Sequence, residues 1–495
     1  MNTRTSPKAT AVRAVAATLA ALAAIGLCLL TQDNVSADIK AKRVERLNAR
    51  IANVYTADYQ QMAEENLVKA RDKQARTIDD IYVQDNPYGT NTTSMYVYFT
   101  TDYATKIKYT VSADGYPDFT RAVAQDEEYQ KEHEFLVLGL IPDVENTITF
   151  TITDDNGLDI TQTITHDGPS LLGVEEVQLE RTVTADDGAD LGDGLYAILG
   201  NDSDEQDFMY YYDTNGVLRG EIPVKYYRSH RLLFDDDGLM WFSASTHTMV
   251  GMNRLGKLEK IYDLDSRFIL HHDYALDANG DIVLLATDLE RGDHAVQDQV
   301  VKLDTSTGET TLLLDFGDLF DAYKQSTDHS GIDESDPTAT NRWDWLHCNT
   351  IQLLDDGSAL FSARETSTII KIDDLEGTPT LDYMIGEPSV WDGTDEQAAF
   401  LTKDGDFGDT GGQHSITYVA DDSLADGQYY LYMFDNNYGY AMTVPTTTGR
   451  SSTASAPRPR PRTKAPVRST AGTWSTRTRA RTRRSPSSTC RIRRT

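Results

Sequence analysis

Apart from its two ends, the chain alternates hydrophobic and polar positions at every second residue, the pattern of β-strands with one buried face. The alternation first appears in Ser94-Met-Tyr-Val-Tyr-Phe-Thr, Lys106-Ile-Lys-Tyr-Thr-Val and Thr147-Ile-Thr-Phe-Thr-Ile-Thr. Asp-Gly and Asn-Gly turns separate these strands, which predicts a small immunoglobulin- or fibronectin-like β-sandwich over 84–168. Beyond Pro169 the alternation becomes a repeat. One element is a strand pair around an Asp-x-x-Gly-type turn, as in Met209-Tyr-Tyr-Tyr-Asp-Thr-Asn-Gly-Val-Leu, Val250-Gly-Met-Asn-Arg-Leu-Gly-Lys-Leu, Val300-Val-Lys-Leu-Asp-Thr-Ser-Thr-Gly and Ile369-Ile-Lys-Ile-Asp-Asp-Leu-Glu-Gly. The other alternates with it and opens on a histidine: His230-Arg-Leu-Leu-Phe-Asp-Asp-Asp-Gly, His272-Asp-Tyr-Ala-Leu-Asp-Ala-Asn-Gly, His347 through Asp-Asp-Gly, and His414-Ser-Ile-Thr-Tyr-Val-Ala-Asp-Asp. Two hairpins per unit, returning every ~40 to 75 residues, predict four-stranded blades, so the fold class is all-β and 170–445 is a β-propeller with four or five blades visible. Ahead of the sandwich, residues 38–80 carry helix formers with Val44, Leu47, Ile51, Val54 and Met62 at helical or heptad spacing, predicting one long amphipathic helix: a stalk, a helix packed on the next domain, or a coiled coil pairing chains into a homodimer.

The inner strands of propeller blades line a central channel, so histidines at equivalent blade positions converge on one mouth of it. The most informative stretch is 342–365, read as a loop, a strand, a tight Asp355-Asp356-Gly357 turn and a second strand ending on Arg364. That hairpin returns His347, Asn349 and Arg364 to one sheet edge, and Trp343 and Trp345 would wall it. Imidazole, amide and guanidinium beside aromatic rings suit an aromatic anion. Asp277-Ala-Asn-Gly-Asp has its glycine misplaced for a calcium loop and reads as a hairpin turn, and no metal-ligand spacing occurs elsewhere.

Composition narrows the class. A formal charge of -32 argues against a nucleic-acid partner for the main body. Three scattered cysteines, Cys28, Cys348 and Cys490, indicate no disulfide framework. Residues 1–37 read as an export segment: Arg4, Lys8 and Arg13, an apolar run of about 17 residues, and Val35-Ser36-Ala37 as a cleavage site. It is either removed or kept as an anchor to the cytoplasmic membrane, and the protein is expected to be exported, periplasmic or extracellular. Residues 446–495 are basic, low in complexity and without hydrophobic period, a disordered tail that reads as an out-of-frame translation in place of further blades.

Taken together, His271-His272-Asp273, Asp344-Trp-x-His347-x-Asn349, Ser362-x-Arg364, and Gln413-His414 followed by Phe434-Asp435-Asn436 resemble the bacterial arylsulfate sulfotransferases that need no nucleotide donor. Asn86-Pro-Tyr-Gly and Leu136-Val-Leu-Gly-Leu-x-Pro-Asp resemble that family's N-terminal sandwich. The resemblance implies a six-bladed propeller, incomplete here, and ping-pong sulfuryl transfer from a phenolic sulfate to a phenol through a sulfated histidine. Carried over by motif, His414 is the nucleophile, while His347, Asn349, Arg364 and one of His271 and His272 bind the sulfuryl oxygens. His272 is favoured because its spacing to Gly280 equals that of His230 to Gly238. Aryl sulfates and phenols are the implied small-molecule partners, with no cofactor. The competing readings are a noncatalytic or inactivated cell-surface propeller and a sulfate-ester hydrolase; the Cys-x-Pro-x-Arg signature of formylglycine sulfatases is absent.

Overall fold

The structure, a computed structural model, describes residues 41–179, 194–200, 207–225, 228–264, 267–332, 342–402, 410–421, 423–424 and 428–436. The export segment at 1–37 and the basic tail at 446–495 lie outside the described residues. The chain divides into two compact units, Met1–Val54 and Tyr55–Thr495. Among the described residues no helix is long and apolar enough to cross a membrane.

In the first unit, helix α1 covers residues 41–54. The second unit opens with α2 (Ala57–Arg71), which starts afresh because Thr56 is extended (φ -123°, ψ 143°) and its hydroxyl accepts the Tyr59 N–H. Where one helix over 38–80 was expected, the chain therefore forms two, and the second ends at Arg71. Ala63 and Leu67 on α2 bury against Tyr88 and Tyr96 of the sandwich.

The sandwich is built on one long strand. β1 (Tyr82–Asp85) and β4 (Gln130–Val137) pair with the first half of β2 (Met95–Ser112); β3 (Phe119–Ala122) and β5 (Glu145–Asp154) pair with its second half, and β6 (Asp159–Asp167) adds to β5. A register shift between Thr100 and Thr105 bends β2 from one layer into the other. Its alternating Met95, Val97, Phe99, Ile107, Tyr109 and Val111 bury against Phe135, Val137, Ile148, Phe150 and Ile152.

Among the described residues five further sheets follow in chain order. β7 (Tyr196–Ile198), β8 (Phe208–Tyr212) and β9 (Leu218–Pro223) form the first, and residues 177–179 run along the outer side of β9. Three sheets have four antiparallel strands in sequence order: β10 (Leu233–Phe234), β11 (Met240–Ser245), β12 (Thr248–Met252), β13 (Leu258–Asp263); β14 (Phe268–Leu276), β15 (Ile282–Asp288), β16 (Gln299–Leu303), β17 (Thr310–Asp315); and β18 (Cys348–Leu353), β19 (Ala359–Ala363), β20 (Thr368–Asp373), β21 (Thr380–Ile385). The last described sheet pairs β22 (His414–Val419) with β23 (Tyr430–Phe434). This is blade architecture. The hairpin turns obey one rule: in Asp213 to Gly216 and Asp277 to Gly280 the aspartate accepts from backbone N–H groups two and four residues on, and the glycine takes a left-handed φ of 75° and 84°. Lys302 pairs with Asp277 at 2.7 Å and Asp281 at 3.1 Å, so a lysine supplies the cation at that turn.

Central strands are buried on both faces. Ile282, Leu284 and Ala286 of β15 pack toward the preceding sheet, and Val283 and Leu285 toward the next. The sandwich meets the propeller through β9: Arg219 donates to Asp213 (2.9 Å) and to the carbonyls of Gly139 (3.2 Å) and Pro117 (2.8 Å), with its guanidinium over the Phe119 ring. Two residues on, the Glu221 carboxylate accepts the N–H groups of Leu172 and Gly173. Arg219 is 1% exposed, so Arg219→Ala takes the countercharge from a buried carboxylate, leaving Asp213 Oδ2 without this donor, and removes a donor from two carbonyls. The expected loss is about 3–5 kcal/mol of stability, with Arg219→Lys restoring only part of it. Chemical denaturation measures it, and a loss below about 1 kcal/mol would contradict the role assigned to this contact.

Candidate active site

Each inner strand that carries one of these histidines or starts beside it breaks its hydrogen-bond ladder within two residues of it. In β14 the residues 271–273 face the single residue Leu285, in β18 Asn349 is an extra residue between Cys348 and Thr350, and in β22 Ser415 and Ile416 face Met433 alone. The backbone is left-handed at His272 (φ 51°), His347 (55°) and Ser415 (55°), a conformation that side-chain-bearing residues seldom adopt outside sites that require it.

The bulges bring the imidazoles together. The His272 ring centroid lies 4.7 Å from that of His347, 6.1 Å from His414, 5.3 Å from His271 and 6.5 Å from His230. Of the adjacent pair, His272 is therefore the one beside His347 and His414, and His271 stands behind it with the two Nδ1 atoms 3.1 Å apart. The β18–β19 hairpin returns Arg364 to His347, its backbone N–H bonding the His347 carbonyl at 3.1 Å. The guanidinium pairs with Glu365 (Nε to Oε1, 2.7 Å) and with Asp344 (Nη2 to Oδ2, 3.4 Å). Asn349, 4% exposed, donates to the Gln413 carbonyl at 3.0 Å. Ser362 also donates to that carbonyl, and the Thr350 hydroxyl accepts the Ser415 N–H, so the strand carrying His414 is fastened directly to its neighbour.

Trp345 departs from expectation. It is 3% exposed, its indole N–H bonds Asp298 at 2.8 Å, and it packs in the core with Tyr323 and Trp343. Burial of two large rings wins over placement at the site edge, because each indole finds a hydrogen-bond partner inside: Asp298 for Trp345, and Thr327 for Trp343. Sequence reasoning passed over three charged residues. Asp344 stood in the quoted motif but is one acid among many; Glu365 follows Arg364 directly; Arg228 sits in an inter-blade loop with no recurring pattern, yet its charge reaches both His230 and His414.

Burial dominates the electrostatics. It lowers the pKa of His271 to about 3, and that of His230 to about 3 with help from Arg228. His272 is pushed far down by burial and then by the surrounding imidazoles. His414 is lowered by burial first, then by His347, Arg364 and Arg228. These rings are neutral at pH 7. Among the described residues, Asp344, His347 and Glu365 bring ligand atoms within 4.8 Å of one another, but Arg364 already supplies the positive charge between those carboxylates.

Propeller blades behind an immunoglobulin-like sandwich, with a histidine and arginine cluster at the inner strands, define the class: an all-β propeller protein with a buried polar site among its blades. The family pattern described as Arylsulfotransferase (ASST) matches residues 180–457, and that described as Arylsulfotransferase Ig-like domain matches 82–169. The chain belongs to the arylsulfotransferase family, whose activity in general terms is arylsulfate sulfotransfer. No curated protein matches it. Among solved structures, the "Crystal structure of Nidogen/Laminin Complex" is similar at 9% identity over 56% of this chain and 92% of that one, with a TM-score of 0.24, too low to support any argument.

Buried neutral histidines make the fold acid-labile. A histidine whose folded pKa lies below its unfolded value takes up its proton first in the unfolded chain, so its stabilising contribution is complete above about pH 6.5 and is lost as the pH falls toward the folded value. For His271 this amounts to about 3 kcal/mol by pH 4. Melting curves from pH 7.5 to 4 should show the midpoint falling, and His271→Asn should flatten that slope by close to one proton. An unchanged slope would show that His271 is not held neutral.

Proposed function

We propose that this protein is an arylsulfate sulfotransferase working by a ping-pong mechanism through a sulfated His414, and that it acts after export, on the strength of its leader. What carries the reading is the anchoring of His414. Its Nδ1 lies 2.9 Å from the Gly412 carbonyl, which can only accept, so Nδ1 carries the proton and Nε2 keeps its lone pair. Burial keeps that ring neutral. A neutral imidazole nitrogen is a competent nucleophile at neutral pH.

In the first half-reaction Nε2 attacks the sulfur of the aryl sulfate, the N–S bond forms, and the S–O(aryl) bond breaks with its electron pair leaving on the phenolate. In the second, the oxygen of an acceptor phenol attacks the same sulfur and releases its proton to solvent, the N–S bond breaks with its electron pair returning to Nε2 to restore the imidazole, and the phenolate set free in the first half-reaction takes a proton from solvent. Negative charge stays on the sulfuryl oxygens throughout, and Arg364, with His347, Asn349 and His272 nearby, is suited to stabilise it. The donor already carries an activated sulfuryl group, so no nucleotide is required.

Colour release from a chromogenic aryl sulfate should depend on an added phenol; release without it would indicate hydrolysis instead. His414→Ala should abolish transfer and also the acid-labile labelling of the protein by a radioactive sulfate donor. Wild-type labelling of that variant would show that another residue is the nucleophile.

A further inference from the structure

We propose that Asp344 is a positioning residue for sulfuryl transfer: its carboxylate holds His347 by Nδ1, turns Nε2 toward the cluster, and ties that orientation to Arg364. Its consequence for rate rests on the sulfotransferase reading; its structural content does not.

His347 Nδ1 lies 2.5 Å from Asp344 Oδ2, three residues back along the chain. A carboxylate accepts, so Nδ1 is the donor and Nε2 faces the other way. The ring is 6% exposed, and Nε2 is buried without a hydrogen-bond partner. An unmatched buried nitrogen is a cost that folding alone gives no reason to keep. The ring stands edge-on to His272 at 4.7 Å, so Nε2 is held among the imidazoles. The backbone beneath it is left-handed, so the ring's heading depends on what grips it.

The same Oδ2 receives Arg364 Nη2 at 3.4 Å, and Glu365 Oε1 takes that same Nη2 together with Nε. One carboxylate oxygen thus sets the heading of two groups that the proposed chemistry directs at sulfuryl oxygens. Hairpin closure does not need it, because backbone bonds from Arg364 to His347 and from Glu365 to Leu346 already join the strands. A salt bridge serving only that closure would leave the tautomer of His347 without consequence.

Asp344→Asn keeps the size of the side chain but offers an amide that can donate as well as accept. In the transfer assay kcat should fall by roughly 10²–10⁴-fold, the scale on which removing an orienting carboxylate from a catalytic histidine acts, while KM for the aryl sulfate stays within about threefold. A kcat within threefold of wild type, or a loss confined to KM, would overturn the proposal. A second measurement depends neither on activity nor on Asp344→Asn folding. In wild-type protein with 15N-labelled histidine rings, the His347 signals, assigned by their loss in His347→Gln, should show a protonated Nδ1 with a strongly downfield proton. A bare Nδ1 would end the proposal. If wild type transfers no sulfuryl group at all, the proposed function fails while this spectrum still decides the role of Asp344.

Discussion

The site depends on a constraint of the backbone: an inner strand cannot both complete its ladder and turn a histidine toward its neighbours. β14, β18 and β22 all give up ladder bonds at that point, and His272, His347 and Ser415 enter left-handed backbone conformations that each cost of order 1–3 kcal/mol. The central strands can absorb this because they are packed on both faces, β15 and β19 being buried along their whole length. Local bonds then replace the lost ladder. Asn349 and Ser362 on the Gln413 carbonyl, Thr350 on Ser415 N–H and Ser367 on Gly412 N–H fasten the His414 strand to the sheet before it. Backbone path, more than side-chain rotamer, sets where these imidazoles stand.

Burial then decides their charge. In a chain of formal charge -32, a cluster of protonated histidines would be attracted to the surrounding acids, but desolvation lowers His230, His271, His272 and His414 instead. Nearby Arg228 and Arg364 act in the same direction on His414. The result separates two functions that protonated imidazoles would merge: lone pairs on neutral nitrogens, and positive charge on guanidiniums that do not titrate.

Much of this was legible in the sequence where it was repeated. The Asp-x-x-Gly turns recur because each blade solves the same problem, and a histidine opening the same kind of hairpin in four units, at equal spacing to the turn glycine in two of them, pointed to convergence. What repetition did not mark was harder to read. The break at Thr56 is a single capping residue inside a continuous helical pattern. Trp343 and Trp345 flank the site in sequence, yet their burial is settled by Asp298, Thr327 and Tyr323, none of them adjacent in the text. Asp344 was visible only as part of a motif, since an aspartate in so acidic a chain carries little information until its partner is known.

His414 and His347, both anchored through Nδ1, differ in what holds them, and this bears on the parts proposed for them. His414 is tied to a backbone carbonyl, an uncharged acceptor that belongs to its own turn and moves only with that turn. His347 is tied to a side-chain carboxylate that it shares with Arg364. On the proposed mechanism the group that carries the sulfuryl fragment between two reactions benefits from the first arrangement, because its acceptor carries no charge and is not shared with Arg364. A group that meets those oxygens benefits from the second, because an anion drawing on Arg364 loosens or tightens the hold on His347 through the same carboxylate oxygen. The asymmetry follows from chain geometry: His414 begins its strand two residues after a glycine pair, whereas His347 ends a loop that offers an aspartate three residues back.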